Sequence, residues 1–98
     1  MYMSREILYC KPGKAKNIVA TFKKFSEVLK SIGYAPARIY TDVSGEKYWT
    51  VVIEQDLKTI DELAEMSINV MNDPRTAEIM KDYHDLIQGG RRELYKAE

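Results

Sequence analysis

The stretch Ala37-Arg38-Ile39-Tyr40-Thr41-Asp42-Val43-Ser44-Gly45-Glu46-Lys47-Tyr48-Trp49-Thr50-Val51-Val52-Ile53-Glu54-Gln55 decides the fold. Its two arms, Ala37–Val43 and Lys47–Gln55, are rich in β-branched and aromatic residues, which suit a pleated backbone. Ser44-Gly45-Glu46 between them predicts a tight hairpin turn with Gly45 at positive φ. Two antiparallel strands therefore occupy the middle of the chain.

A helix is expected on each side of this hairpin. Over Lys14–Ile32, Ala15, Ile18, Val19, Phe22, Phe25, Ser26, Leu29 and Ile32 fall at spacings of three and four and form one stripe. Gly33 is a natural stop, because glycine enters the left-handed region without a Cβ penalty. Downstream, Leu57–Met71 reads as a helix with Thr59 and Glu62 as a capping box. Asp73-Pro74 then restarts the chain as an N-cap followed by proline. The third helix is expected over Pro74–Gln88, stopped by Gly89-Gly90.

The outermost elements read as strands. Met3–Lys11 contains Ile7-Leu8-Tyr9-Cys10, nonpolar on both alternating faces, and Pro12-Gly13 ends it. Arg91–Ala97 is the last strand. The order is βαββαβ, with the second helical unit in two pieces. This is the ferredoxin-like α+β pattern: a four-stranded antiparallel sheet with helices on one face. At 98 residues the chain is expected to form one domain over 1–98.

Such a sheet leaves one face bare. On the middle strands the odd positions Ile39, Trp49, Val51 and Ile53 are the more apolar and should face the helices. The even positions Arg38, Tyr40, Tyr48, Thr50, Val52 and Glu54 mix aromatic, aliphatic and charged groups. That mixture fits a face buried against a second sheet, so a homodimer through the open sheet face is expected. A monomer with scattered surface aromatics is the plainer alternative.

Fifteen basic and fifteen acidic side chains cancel, which argues against nucleic acid as a partner. The cancellation hides a sorting. Residues 1–49 carry nine basic and four acidic side chains, and residues 50–98 carry six and eleven. Lys14, Lys16, Lys23, Lys24 and Lys30 lie on the first helix; Asp61, Glu62, Glu65, Glu78, Asp82 and Asp85 lie on the later ones. The open sheet face is then expected to be the less charged one. Cys10 is the sole cysteine, so no intrachain disulfide can form. No apolar run is long enough to span a membrane and no secretory signal is visible, so a cytoplasmic protein is expected.

The chain resembles the NIPSNAP-like proteins of the dimeric α+β barrel superfamily. The resemblance is carried by Lys11-Pro12-Gly13-Lys14, Arg38-Ile39-Tyr40-Thr41-Asp42-Val43-Ser44-Gly45, Asn72-Asp73-Pro74 and Gly89-Gly90-Arg91-Arg92-Glu93-Leu94-Tyr95. It implies a dimeric α+β barrel. It implies little about reaction, since the superfamily includes monooxygenases, isomerases, dehalogenating and haem-degrading enzymes and regulatory ligand-binding domains.

His84 is the only histidine, and imidazole alone titrates near neutrality unperturbed. It reads either as a general base lining a cleft between helix and sheet, or as a boundary residue on a helix flank. The haem-degrading branch pairs its histidine with an Asn on the first strand and a Trp on a helix. Here Met3–Lys11 has no Asn and Trp49 is expected on a strand, so haem is not implied. Tyr9, Tyr40, Trp49 and Tyr95 (with Tyr48) could line a pocket for a flat apolar ligand, or could pack core and interface. Arg38, Glu54 and Glu93 are strand charges that could pair inside or at the rim of a barrel, an interface ion pair that fixes register being favoured over a general acid. Asp42 reads as turn chemistry, and Asp61, Glu62 and Glu65 as a solvated acidic face rather than a metal site. No metal and no cofactor are implied. Two functions fit: a homodimer that binds a small apolar or aromatic molecule or serves a structural role, and a cofactor-independent monooxygenase or isomerase acting on a small aromatic compound.

Overall fold

The computed structural model describes residues 1–98. Strand β1 (Tyr2–Cys10) leads through helix α1 (Ala15–Ser31) to β2 (Arg38–Thr41) and β3 (Thr50–Leu57). Helices α2 (Ile60–Met71), α3 (Pro74–Ile79) and α4 (Tyr83–Leu86) follow, and β4 (Ile87–Lys96) completes the sheet. The sheet order is β2-β3-β1-β4, with every neighbouring pair antiparallel. This is the ferredoxin-like order expected from the sequence.

Strand β1 is central. It pairs with β3 from Tyr2 opposite Leu57 to Tyr9 opposite Thr50, and with β4 on its other edge. Its apolar run explains the position, because Ile7, Leu8 and Cys10 are all buried although they lie on two opposite faces. Helix α1 buries Ile18, Phe22, Ser26 and Leu29 on the side facing the sheet, with Val28 beside them. The buried Ser26 is satisfied: its Oγ accepts from the Ala37 N–H at 2.9 Å. Gly33, at φ 97°, lets the chain turn out of α1 as expected.

Three expectations need correction. First, β2 and β3 are joined by an eight-residue loop over 42–49, not by a tight turn at Ser44-Gly45-Glu46. Asp42 closes its base: the backbone N–H of Thr50 donates to Asp42 Oδ1 at 2.9 Å, and that of Asp42 to the Thr50 carbonyl at 3.2 Å. The positive φ falls on Trp49 at 60°, not on Gly45. Tyr48 and Trp49 thus leave the strand they were expected to occupy.

Second, α2 starts at Ile60, because Leu57 is still paired with Tyr2 in the sheet. Thr59 Oγ1 accepts from the Glu62 N–H at 3.2 Å, while Glu62 Oε2 accepts from the N–H of Lys58, one residue before the expected position. Asp73 caps α3 through Arg75 N–H, ahead of Pro74.

Third, the helix expected over Pro74–Gln88 breaks after Ile79, and the last strand begins at Ile87. Gly89-Gly90 lies inside β4 and stops nothing. A Cβ on Gly90 would stand 2.6 Å from the Ile7 carbonyl oxygen. Glycine is required there by the close approach of two backbones, not by helix termination.

The buried side chains form two clusters. One joins Leu8, Cys10, Ile18, Phe22, Val51 and Ile53; the other joins Leu29, Leu57, Met66 and Val70. Between them the helix side of the sheet is polar. No helix is long and apolar enough to cross a membrane.

The Gly90 contact gives a measurable contrast. Gly90→Ala is expected to destabilise the protein by about 1–3 kcal/mol in urea unfolding, as overpacking does. Gly45→Ala, whose Cβ would meet only Asp42 Cβ at 3.8 Å, should stay within about 0.5 kcal/mol. Equal effects would refute the close-approach account.

Candidate functional site

In the antiparallel register, opposed residues share a face. On the helix side, Ser4 stands opposite Gln55 on β3, and Glu6 stands between Ile53 on β3 and Arg92 on β4. These four polar groups floor a cleft of about 500 Å³ between the sheet and the helices. Its apolar lining comes from Phe22, Phe25 and Leu29 of α1, Leu63, Met66 and Val70 of α2, and Ala77 and Met80 around α3. Tyr83 and His84 line the end formed by α4.

The polar groups have distinct states. Arg92 Nε donates to Glu6 Oε2 at 2.7 Å, so those charges neutralise each other. Gln55 is 4 % exposed. Its Nε2 donates to the Ala35 carbonyl, while its Oε1 is buried with no hydrogen-bond partner. Tyr83 packs edge-on to Phe22 at 5.8 Å and to the His84 ring at 5.2 Å. Burial first, and the nearby Glu6 charge second, push the Tyr83 phenol above its ordinary value. The Cys10 thiol is likewise raised, chiefly by burial, as befits a small buried hydrophobe.

The expected aromatic ligand set does not gather around His84. Tyr9, Tyr40 and Tyr95 project from the open sheet face, as the register requires. Trp49 lines a shallow recess beside the start of α1, with Gly13, Lys16 and Asp42. His84 is the one expected site residue that lines the cleft. Sequence reading missed Ser4, Glu6, Gln55 and Arg92. A signal existed: Ser4 and Glu6 alternate in phase with Tyr2, Leu8 and Cys10, so two of five helix-side positions on the central strand are polar or charged.

The open face carries an ion ladder across all four strands. Arg38 binds Asp56 at 2.8 Å and Glu54 at 3.5 Å. Glu54 also takes Arg5 at 2.9 Å, and Arg5 reaches Glu93 at 3.7 Å. Glu93 accepts from Arg91 at 3.1 Å and from the Tyr95 hydroxyl at 2.9 Å. Arg91 also contacts the Tyr9 hydroxyl. Arg38, Glu54 and Glu93 thus pair across strands within one chain, where an interface ion pair was expected. The expectation that this face is the less charged one fails, because charge sorting was read from the helices alone.

No family model matches the chain, and no curated protein matches it. Solved structures do. The chain superposes on protein Atu4242 from Agrobacterium tumefaciens with TM-score 0.84 and 16% identity, over 100% of this chain and 94% of that one. A second structure describes Atu4242 as a NIPSNAP family protein with unknown function. An uncharacterised NIPSNAP domain protein from Burkholderia xenovorans gives TM-score 0.81 and 14% identity, over 100% and 95%. A protein of Nitrosomonas europaea proposed to be an antibiotic biosynthesis monooxygenase gives 0.73 and 14%, over 99% and 98%. The fold is that of the NIPSNAP proteins. The monooxygenase-like neighbours share the same ferredoxin-like α+β architecture.

The ladder sets a pH dependence. The Arg38 guanidinium holds the Asp56 carboxyl below its usual value, and the Tyr95 hydroxyl and Arg91 do the same for Glu93. A depressed folded value means stability that is complete above the unfolded carboxyl range of about 4 and is lost as pH falls through the folded values. Urea unfolding between pH 5 and pH 2 should therefore show a smaller acid-induced loss for Arg38→Met than for wild type. Identical losses would remove the Arg38–Asp56 pair from the acid response.

Proposed function

We propose that this protein is a NIPSNAP-type homodimer that binds a small, mainly apolar molecule in the cleft between helices and sheet. The observation that carries the reading is the cleft itself. It separates two buried clusters that a purely structural domain would merge into one, and its volume falls in the range of small-molecule sites. Its lining is mostly apolar, with Ser4, Glu6, Gln55 and Arg92 on the sheet floor and Ser67, Thr76 and His84 on the helices. A second reading, a cofactor-independent monooxygenase or isomerase, is favoured by His84, whose exposed imidazole stands at the cleft's end, where it could move a proton to or from a bound molecule.

The dimer forms through the open sheet face. That face offers Tyr9, Tyr40 and Tyr95 beside arginines, a composition typical of interface cores. Each guanidinium and carboxylate of the ladder already has a partner in its own chain, so covering it strands no charge. The molecule measures 36 × 34 × 17 Å along its principal axes, so its broad side has room for the roughly 800 Å² per partner of a standard interface.

Native mass spectrometry of the purified protein tests the cleft. Wild type should retain a small molecule that Ala77→Trp, which fills the cleft, does not. Retention by both variants would refute the site. Turnover of that molecule by wild type and not by His84→Ala would favour the enzyme; unchanged retention by both, with no turnover, would favour the binding protein. Light scattering tests the dimer: twice the 11.4 kDa chain mass is expected, and a clean monomer at micromolar concentration refutes it.

A further inference from the structure

The floor of the cleft specifies more than an apolar guest. The Ala35 carbonyl can only accept, so it fixes the Gln55 amide with Nε2 toward it and Oε1 away. That oxygen is left buried and unpartnered, in a residue that lines the cleft. Leaving a buried acceptor unpaired is costly, and the cost disappears when a donor arrives. Ser4 faces Gln55 directly across the β1–β3 pair, on the same side of the sheet, and is 8 % exposed. Its rotatable hydroxyl can donate as well as accept.

We propose that the ligand carries a neutral hydroxyl that docks here, donating to Gln55 Oε1 and accepting from the Ser4 hydroxyl; the inference rests on the cleft being the binding site. A hydroxyl is the smallest group that donates and accepts through one atom, as the pair requires. A carboxylate fits poorly, because it would set negative charge against an acceptor oxygen near Glu6. Arg92 offers it little, being engaged with Glu6 at 2.7 Å. An ammonium could donate to both Gln55 and Ser4, but it would bring an uncompensated charge into an apolar cleft. The ligand body would lie against Phe22, Phe25 and Met80, which line the walls above this floor.

The test compares 2-naphthol, naphthalene and 2-naphthoate by fluorescence titration against wild type, Gln55→Met and Ser4→Ala, with circular dichroism melts checking that each variant folds. Wild type should bind 2-naphthol about tenfold more tightly than naphthalene, the size of one buried hydrogen bond. The preference should vanish in Gln55→Met and shrink in Ser4→Ala. Equal binding of 2-naphthol and naphthalene by wild type overturns the hydroxyl inference while leaving the cleft reading intact. So does a preference that survives in Gln55→Met. Binding of 2-naphthoate as tight as that of 2-naphthol overturns it in favour of Arg92 as the anchor. Binding of neither neutral probe overturns the cleft reading and the hydroxyl inference with it.

Discussion

Everything in this molecule hangs on the double pairing of β1. A strand bonded along both edges sits at the centre of the sheet, and its alternation decides what each layer meets. On the helix side, Leu8 and Cys10 anchor one end of the core, while Ser4 and Glu6 refuse the same role two steps away. The helices follow this division. Helix α1 closes over Leu8 with Ile18 and Phe22, and α2 seals its own cluster around Leu57 with Met66 and Val70. The cleft is what remains between two cores that the central strand holds apart and that Phe25 of α1 bridges.

The other side of β1 has a different logic. Ile7 is buried there without any helix above it, and Arg5 is held by carboxylates from both flanking strands. Charges that neutralise one another across strands cost less to cover than isolated ones, though each such pair in water contributes little. The face is therefore charged in composition and nearly neutral in arrangement. Sorting by helix predicted a charge-poor surface here. The cross-strand register is what pairs Arg38 with Glu54 and Arg5 with Glu54 and Glu93, and a register cannot be read from helix composition.

The fold was legible because period and punctuation agreed along most of the chain. The stripe of α1, the Thr59–Glu62 cap and the apolar run of β1 each point to the element observed. The errors fell where a local signal had a non-local cause. Gly45 looked like a turn glycine, but the Asp42 carboxylate takes the Thr50 N–H and closes an eight-residue loop at its base. Gly89-Gly90 looked like a helix stop, but the Ile7 carbonyl of another strand excludes a side chain at Gly90. The site was less legible for the same reason. His84 was visible as a lone titratable group. Gln55 and Ser4 are ordinary residues in sequence, and only the pairing of β1 with β3 brings them face to face.

The polar floor also bears on why such residues persist in so small a domain. A chain of 98 residues has a net stability of only about 5–15 kcal/mol, and an unpaired buried acceptor such as Gln55 Oε1 takes about 1–3 kcal/mol of it. An apolar residue of similar shape at position 55 would remove that cost and extend the core toward Leu29 and Leu57. Local rules broken without structural compensation collect at functional sites. At Gln55 the break is specific: the amide nitrogen donates within the chain, and the buried acceptor is left without a partner. A defect of packing alone has no reason to leave one atom of an amide satisfied and the other waiting. A guest that donates a hydrogen bond to that oxygen would supply that reason, because binding it would recover the cost of the unpaired acceptor.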